Sequence, residues 1–361
     1  MWPARAVAPA AESIDAVTPI DRLKTILAGG APDRWPWVPS IYEHGAAVIG
    51  ATPSEAARDA DLMARAAVES YRVYGHDLVT VGIDIYNIEA EALGCTIRYH
   101  DDSPSIPGVG SHPLEGPEPP DPEALPIPQP GEGNRLGLIA DACATVMDAI
   151  GGEVWVYGCM GGPFSQAVEL RGFNDLIVDV LTRPEAVHRL MAHTTALALD
   201  HARRLSRTGV GVYLYESWAT MPLIDPSIFA AFVVPYNRQV IQAVRAEFGT
   251  PPPAIVMGGD ITLLIDFFLE ADSGLVVCDY LADFNLIRRR TAGRPIMVRG
   301  CVDPKLIERG DWHELEAAIA TLARKAAGMP TFLWGCGCVP YHAPRGHVLR
   351  FKELCLSAGQ G

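Results

Sequence analysis

The sequence is short of positive charge and of long apolar runs. It has 29 Lys and Arg residues against 43 Asp and Glu, which gives a net charge of −14, whereas a nucleic-acid binder needs a positive field. No stretch approaches the roughly 18–20 uninterrupted apolar residues of a membrane span. Residues 1–16 are rich in Ala but have no apolar core ahead of a cleavage site, as a secretory signal would. We therefore expect a cytoplasmic protein with a flexible tail at 1–16 and with no nucleic-acid or membrane partner.

Several widespread catalytic and nucleotide-binding motifs are also absent. The sequence contains no P-loop, no G-x-G-x-x-G between a strand and a helix, no H-E-x-x-H and no G-x-S-x-G. Its eight cysteines are spread along 361 residues without a secretory signal, so they do not indicate a disulfide framework. A chain of this length can bury enough apolar surface to fold without disulfides or metal. The composition therefore indicates an acidic globular protein, and we expect an enzyme.

Short apolar runs alternate with amphipathic segments along the chain. Near-continuous apolar runs are typical of strands in a parallel sheet that helices cover on both faces. Eight such alternations predict a single (β/α)₈ TIM barrel over 17–361, and the alternative is a doubly wound open sheet. The predicted strands are Trp37–Ile41, Leu78–Tyr86, Val154–Cys159, Gly211–Glu216, Ala254–Met257, Leu275–Tyr280, Pro295–Arg299 and Thr331–Gly335.

The amphipathic segments between these runs predict the helices. Pro184 is expected to divide the third of them, and Asp225 with Pro226 reads as an N-cap followed by the first helical residue. The predicted helices are Thr52–Tyr74, Arg135–Ile150, Phe173–Ser206, Pro226–Phe248, Ile261–Glu270, Leu281–Thr291, Trp312–Ala327 and Pro344–Leu356.

A proline-rich segment at 103–133 fits neither pattern. It holds ten prolines between Pro104 and Pro130, a density that excludes helix and central strand. The segment is either a solvated connection or a lid over the barrel mouth, because long loops in compact domains are often functional.

Polar side chains are concentrated where the predicted strands end, which is the catalytic face of a TIM barrel. At these positions we expect Asp84, Tyr215 and Glu216 to be catalytic. The candidate substrate-binding residues at the same face are Tyr42, His44, Tyr86, Met160, Phe164, Asp279, Arg299 and His342.

Five of the eight cysteines also fall at strand ends, namely Cys159, Cys278, Cys301, Cys336 and Cys338. Thiolate and imidazole are the preferred ligands of zinc, and a catalytic zinc needs three protein ligands and one open position. The alternative is that these cysteines pack as small apolar side chains. The candidate zinc ligands are His44, Glu216, Cys301, Cys336 and Cys338.

Between about Thr18 and Phe351 the sequence resembles the uroporphyrinogen decarboxylase superfamily, which contains porphyrinogen decarboxylases and cobalamin- and coenzyme M-linked methyltransferases. The resemblance is carried by blocks in a fixed order, and it implies a (β/α)₈ barrel. These blocks are TPIDRLKTILAGGAPDRWPWVP, GIDIYNIEAEALG, GGPFSQAVEL, DPSIFAAFVVPYNRQVI, RGCVDPKLIERG and GCGCVPYHAP.

Within the superfamily the sequence looks closer to the methyltransferase branch. Asp84 in GIDI matches the catalytic aspartate of the decarboxylases, but the stretch VPSIYEHGAAVIG has no arginine where those enzymes carry an Arg-rich block that grips propionates. Cys336 in GCG resembles a zinc ligand of the methyltransferases. Their second zinc motif, His-x-Cys, is replaced by Val256 and Gly258, and Cys301 stands where the family usually has Asn.

The resemblance implies three functions, in order of preference. The first is transfer of a methyl group between a corrinoid or small methylated substrate and an acceptor, with zinc as a candidate cofactor and a corrinoid protein as a candidate partner. The second is a metal-free decarboxylase or related lyase that acts on a small carboxylated substrate through Asp84. The third is a barrel that binds a small molecule or a corrinoid without catalysis.

Overall fold

The computed structural model describes residues 17–119, 121–129, 131 and 134–359. The tail expected at 1–16 lies outside the described residues, as do four positions of the proline-rich segment. In the described part of the chain, no helix is both long enough and apolar enough to cross a membrane.

The apolar runs form a parallel sheet in two sections, which confirms the predicted α/β class. The strands are β1 Leu78–Val81, β2 Thr96–Arg98, β3 Gly108–Ser111, β4 Trp155–Gly161, β5 Gly211–Tyr215, β6 Ala254–Val256, β7 Leu275–Cys278, β8 Met297–Val302 and β9 Phe332–Cys336. One section has the strand order β1-β4-β5-β6 and the other β7-β8-β9, while β2 and β3 form a separate antiparallel hairpin.

The first predicted strand, Trp37–Ile41, is not a regular strand. It lies beside β9 through two isolated parallel bridges, Trp37 with Trp334 and Ser40 with Cys338. Pro36 and Pro39 explain the difference, because a proline has no N–H to donate to a continuous ladder.

Backbone hydrogen bonds join the two sections of sheet at both edges. At one edge Val38 N donates to Trp334 O at 2.7 Å, and Asp77 N donates to Trp37 O at 2.9 Å. At the other edge Gly274 N donates to Pro253 O at 2.9 Å, just before β7 and β6.

The helices agree with the prediction in their main positions. They are α1 Pro19–Leu27, α2 Tyr42–Ile49, α3 Pro53–Ala56, α4 Ala60–Tyr74, α5 Asn87–Ala92, α6 Leu136–Ile150, α7 Pro163–Arg171, α8 Phe173–Thr182, α9 Pro184–Ser206, α10 Pro226–Phe232, α11 Val234–Glu247, α12 Ile265–Glu270, α13 Phe284–Thr291, α14 Pro304–Arg309, α15 Trp312–Ala326 and α16 Arg345–Ala358.

Prolines and caps set several of the helix boundaries. Pro184 starts α9 after α8 ends, and the Asp225 side chain caps α10, as predicted. The predicted helix Pro226–Phe248 is instead divided at Val233, since Pro235 sits in the first turn of α11. The predicted helix Thr52–Tyr74 is divided by Asp59, which caps α4.

The interior of the sheet is filled at its amino-terminal end. Leu23 and Ile26 of α1 are fully buried against strand residues such as Leu275 and Leu333. This plug leaves the opposite end, where the strands finish, as the place for a cavity.

The proline-rich segment carries more regular structure than its composition suggested. Within it, β3 pairs with β2 in an antiparallel hairpin, and residues 122–124 form a single 3₁₀ turn. Among the described residues β3 pairs with β2 alone, so it is an edge strand and agrees with the prediction that this segment holds no central strand.

Candidate functional site

A cavity of about 760 Å³ opens at the carboxyl-terminal ends of the parallel strands. Its volume is in the ordinary range for small-molecule sites. The described residues that line it include nine of the predicted site residues, which are Tyr42, Asp84, Tyr86, Tyr215, Asp279, Arg299, Cys301, Cys336 and Cys338.

Part of the proline-rich segment forms one wall of this cavity. Ile106, Pro107, Gly108 and Val109 line it, and Ile106 is 53% exposed at the same time. The segment therefore lies at the boundary between the cavity and solvent.

Asp84 is held by two partners at the cavity wall. After β1 ends, Gly82 adopts a φ of +126°, where a Cβ would be only 2.9 Å from the Cβ of Cys159. This glycine lets the chain turn so that Asp84 reaches Arg135, which donates to Oδ2, and Asn87, which donates to Oδ1. Burial raises the pKa of Asp84 although both partners oppose that rise.

Sequence reasoning missed Arg135, which lies at the start of α6. Its guanidinium pairs with Glu91 as well as with Asp84, and it donates to Ala57 O at 3.0 Å. Arg135 follows the proline-rich segment in sequence, and no motif in that stretch indicated a partner for Asp84.

Glu89 is a second buried acid, and it is near enough to Asp84 for that charge to act on it. The Oε1 atom of Glu89 accepts a hydrogen bond from Gly161 N at 2.8 Å, and burial raises the pKa of Glu89 to about 8. Glu89 therefore holds its proton at neutral pH.

The hydroxyl groups of Tyr42 and Tyr215 are hydrogen-bonded to each other across the cavity wall. Tyr42 has a φ of +22° at the start of α2, and Tyr215 is the last residue of β5. Burial raises the pKa of Tyr215 well above its ordinary value, so the phenol stays protonated and available as a donor.

Glu216 does not reach the cavity and does not fit the predicted catalytic or zinc-binding role. Its carboxylate accepts from Phe164 N at 3.1 Å, Ser165 N at 2.8 Å and Asn237 Nδ2 at 2.6 Å. Gly162 makes room for it, because a Cβ there would be 2.3 Å from the carboxylate. Glu216 thus caps the amino terminus of α7, which favours a negative charge.

Four predicted substrate-binding residues also lie away from the cavity. His44 is buried, with Nε2 2.7 Å from Tyr74 Oη and Nδ1 3.1 Å from Pro340 O. Met160 and Phe164 are packed in the apolar core. His342 is exposed and is not part of the cavity wall.

The cysteines at the strand ends divide into two groups. Cys301, Cys336 and Cys338 line the cavity, whereas Cys159 and Cys278 do not. Burial raises the pKa of Cys301 to about 11 against the opposing effect of Arg299, and it raises the pKa of Cys336 further. Both thiols are therefore neutral at physiological pH.

The described residues do not fit the predicted zinc ion. No group of three His, Cys, Asp or Glu side chains among them is placed to hold a metal. His44 and Glu216 are committed to other partners, and the positive guanidinium of Arg299 lies beside Cys301 and Cys336. A second cation at this place would be repelled.

The charged groups of the cavity wall are mainly acidic. Among the described lining residues, Arg299 is the one Lys or Arg, against the carboxyl groups of Glu43, Asp84, Glu169 and Asp279. Burial raises the pKa of Glu43 and of Glu169, whose Oε1 accepts from Trp218 Nε1 at 2.7 Å. Sequence reasoning missed Glu43, Glu169 and Trp218 as parts of the site.

The amino-acid sequence matches one known protein family and several of its members. The family model described as uroporphyrinogen decarboxylase matches residues 18–355. The uroporphyrinogen decarboxylase of Myxococcus xanthus is 26% identical over 275 residues, covering 74% of this chain and 74% of that protein. The methylcobamide:CoM methyltransferase of Methanosarcina acetivorans is 30% identical over 234 residues, covering 63% of this chain and 67% of that protein.

A solved structure has the same overall fold. A methyltransferase from Methanosarcina mazei matches with a TM-score of 0.79 at 18% identity, covering 95% of this chain and 98% of that one. At this level of identity the match concerns the fold alone.

Proposed function

Since the chain belongs to the uroporphyrinogen decarboxylase family, we propose that it is a methyltransferase that moves a methyl group between a corrinoid or small methylated substrate and an acceptor. We propose further that its sheet closes into one (β/α)₈ barrel over 17–361 and that the segment 103–133 acts as a lid. A corrinoid protein is the proposed partner.

The charge of the cavity wall is the observation that carries this proposal. A porphyrinogen substrate with eight carboxylates would meet a single arginine or lysine on the described wall, Arg299, since Arg135 is already paired with Asp84 and Glu91. Most of its carboxylates would enter the cavity without a counter-charge, which costs free energy. A small methylated molecule with little charge suits the same wall.

The thiol-bearing end of the cavity gives separate support. Cys336, in the GCG block that resembles the methyltransferases, lines the cavity at the end of β9. A relative named methylcobamide:CoM methyltransferase is 30% identical to the chain over 234 residues. Because the described residues do not fit zinc, the proposed transfer involves no zinc ion.

In the proposed reaction the bond between the methyl carbon and its donor atom breaks, and its electron pair stays on the donor. The acceptor supplies the electron pair of the new bond. In this reaction Tyr42 donates its hydroxyl hydrogen to Tyr215, and the protonated Tyr215 donates a hydrogen bond to the atom on which negative charge develops.

The lyase alternative has a weaker basis in the geometry. Asp84 lines the cavity, but both of its carboxylate oxygens are already bonded within the protein. A carboxylate in that state is poorly available to stabilise a cationic intermediate.

A direct assay separates these functions. Purified protein is incubated with cob(I)alamin and a panel of small O-, N- and S-methylated compounds, and methylcobalamin formation is followed by absorbance. Uroporphyrinogen decarboxylation is measured in parallel. We expect methyl transfer without decarboxylation. Decarboxylation without methyl transfer, or ligand binding without either reaction, would overturn the proposal.

A pair of variants on one strand tests the role of Tyr215. Tyr215→Phe should lower kcat for methyl transfer roughly tenfold or more. Tyr213→Phe is the matched control, because Tyr213 is buried on the same strand and does not line the cavity. Equal rates in the two variants would remove Tyr215 from the mechanism.

A further inference from the structure

Arg299 is a buried arginine that lines the cavity and forms no ion pair with any described residue. We propose that its guanidinium binds the carboxylate of an apolar monocarboxylic acid, which is the class of substrate that this protein takes. The inference rests on the proposed function and deepens it, since it specifies the molecule that exchanges the methyl group.

The other buried arginines differ from Arg299 in their ion pairs. Among the described residues four arginines are buried, and three of them form ion pairs with two carboxylates each. Arg22 pairs with Asp33 and Asp77, Arg135 with Asp84 and Glu91, and Arg171 with Asp175 and Asp179. Arg299 is only 3% exposed, forms no ion pair with any described residue, and has an Nε without a hydrogen-bond partner.

The immediate neighbours of Arg299 do not supply the missing negative charge. The thiols of Cys301 and Cys336 and the phenol of Tyr215 are held neutral by burial. Asp279 also lines the cavity, and the charge of Arg299 partly opposes the rise that burial causes in its pKa, but the two side chains do not form an ion pair. An unpaired buried charge costs free energy, and a substrate anion would offset that cost.

The neighbouring strand is shaped to receive this side chain. Arg299 of β8 is in register with Leu333 of β9, and Gly335 lies two residues further along β9, on the same face of the strand. A Cβ at Gly335 would be 2.5 Å from Cγ and 2.8 Å from Cδ of Arg299. The methylene groups of Arg299 therefore pack directly over the backbone of Gly335, where any other side chain would collide with them. This packing holds the guanidinium at the cavity wall.

The rest of the wall defines the charge and character of the ligand. A guanidinium matches a planar carboxylate with two parallel hydrogen bonds. Among the described lining residues no second arginine or lysine could neutralise a further negative charge on the ligand. Much of the remaining surface is apolar or aromatic, including Ile83, Val109, Trp218, Val256, Met257 and Val277. A single carboxylate on an apolar body is complementary to both features.

Calorimetric titration of the full chain tests the inference without turnover. The probes are benzoate, phenylacetate and hexanoate, each beside its primary amide, together with phenyl phosphate as a dianion. We expect at least one carboxylate to bind, with its amide and the dianion at least tenfold weaker. Arg299→Met should weaken carboxylate binding by roughly ten- to a hundredfold, whereas Arg309→Met, at an exposed arginine outside the cavity, should not.

The unfolding temperature of the unliganded protein gives a second test. If Arg299 had only a structural role, its replacement would lower that temperature. Without ligand, Arg299→Met should unfold at the same temperature as wild type or higher, because it removes an uncompensated buried charge. If that variant does not fold, two others keep the positive charge. Arg299→Lys removes the paired N–H donors of the guanidinium, and Gly335→Ala displaces the arginine side chain. Both should weaken carboxylate binding.

Several results would overturn the inference. These are the absence of binding by any carboxylate, equal binding of acids and amides, tighter binding of the dianion, or undiminished binding by Arg299→Met. Carboxylate binding that depends on Arg299, without methyl transfer to or from any compound, would leave this inference standing and overturn the proposed function. Methyl transfer from neutral substrates in Arg299→Met would do the reverse.

Discussion

Asp84 and Arg135 form a buried ion pair at the cavity wall, and Asn87 engages the second oxygen of the same carboxylate. The aspartate that the family resemblance identifies with a catalytic residue is thus a fixed member of a polar network. Its partner comes from the start of another helix, 51 residues further along the chain.

Asp84→Asn should reveal a structural contribution of this pair. The change leaves the buried guanidinium of Arg135 with Glu91 as its one remaining described ion-pair partner, so we expect a loss of about 2 kcal/mol in the free energy of unfolding. Urea denaturation of the two single variants and of Asp84→Asn/Arg135→Gln measures the coupling. Strictly additive losses would mean that the two residues do not stabilise each other.

Glu89 should make stability depend on pH. Its pKa is about 8 in the folded protein and about 4.3 when unfolded. Between these values the folded state holds a proton that the unfolded state has lost, so stability falls as pH rises, by up to about 1.4 kcal/mol per unit.

Glu89→Gln keeps an acceptor for Gly161 N and removes the titration. Its stability relative to wild type should therefore increase between pH 5 and pH 8 in denaturation experiments. Glu314→Gln, at an exposed position on α15, serves as the control. A constant difference between Glu89→Gln and wild type across this range would contradict the prediction.

Glu216 should behave as a cap rather than as a catalytic or metal-binding residue. Glu216→Ala leaves two backbone N–H groups of α7 and the side-chain amide of Asn237 without their acceptor. We expect a loss of about 3 kcal/mol in the free energy of unfolding. The matched change Asp303→Ala at the cap of α14 should cost only about 1 kcal/mol. Comparable losses in the two variants would argue against a buried capping role for Glu216.

Zinc should be absent from the purified protein or present far below one ion per chain. The side chains that the sequence offered as ligands do not form a group of three among the described residues. Dialysis against EDTA should therefore leave the Tm unchanged, and Cys336→Ser should not alter the metal content measured by mass spectrometry. Stoichiometric zinc that is lost in Cys336→Ser would show this account to be wrong.

The sequence was a good guide to the fold because its signals are local. Apolar runs predicted seven of the observed strands, and Pro184 and Asp225 fixed helix boundaries at the expected places. The first run failed to form a regular strand because Pro36 and Pro39 lack the N–H groups that pairing needs.

The sequence predicted where the site lies but only some of the residues that form it. The carboxyl ends of parallel strands meet on one face, so Asp84, Tyr215, Arg299 and Cys336 share a cavity as expected. Glu216 is adjacent to Tyr215 in sequence, yet its side chain turns to the start of α7. Neighbours along a strand point in opposite directions, and periodicity alone does not say which partner each one finds.

By itself the sequence determined the α/β class, the family and the face on which a site would form, because these follow from local hydrophobic patterns and ordered motif blocks. Only the tertiary structure decided which side chains are already satisfied. In the folded protein Asp84 has two partners, His44 and Glu216 are bonded away from the cavity, and Arg299 is buried without an ion pair to any described residue. The physical reason is that charge pairing depends on distances of a few ångströms between residues far apart in sequence.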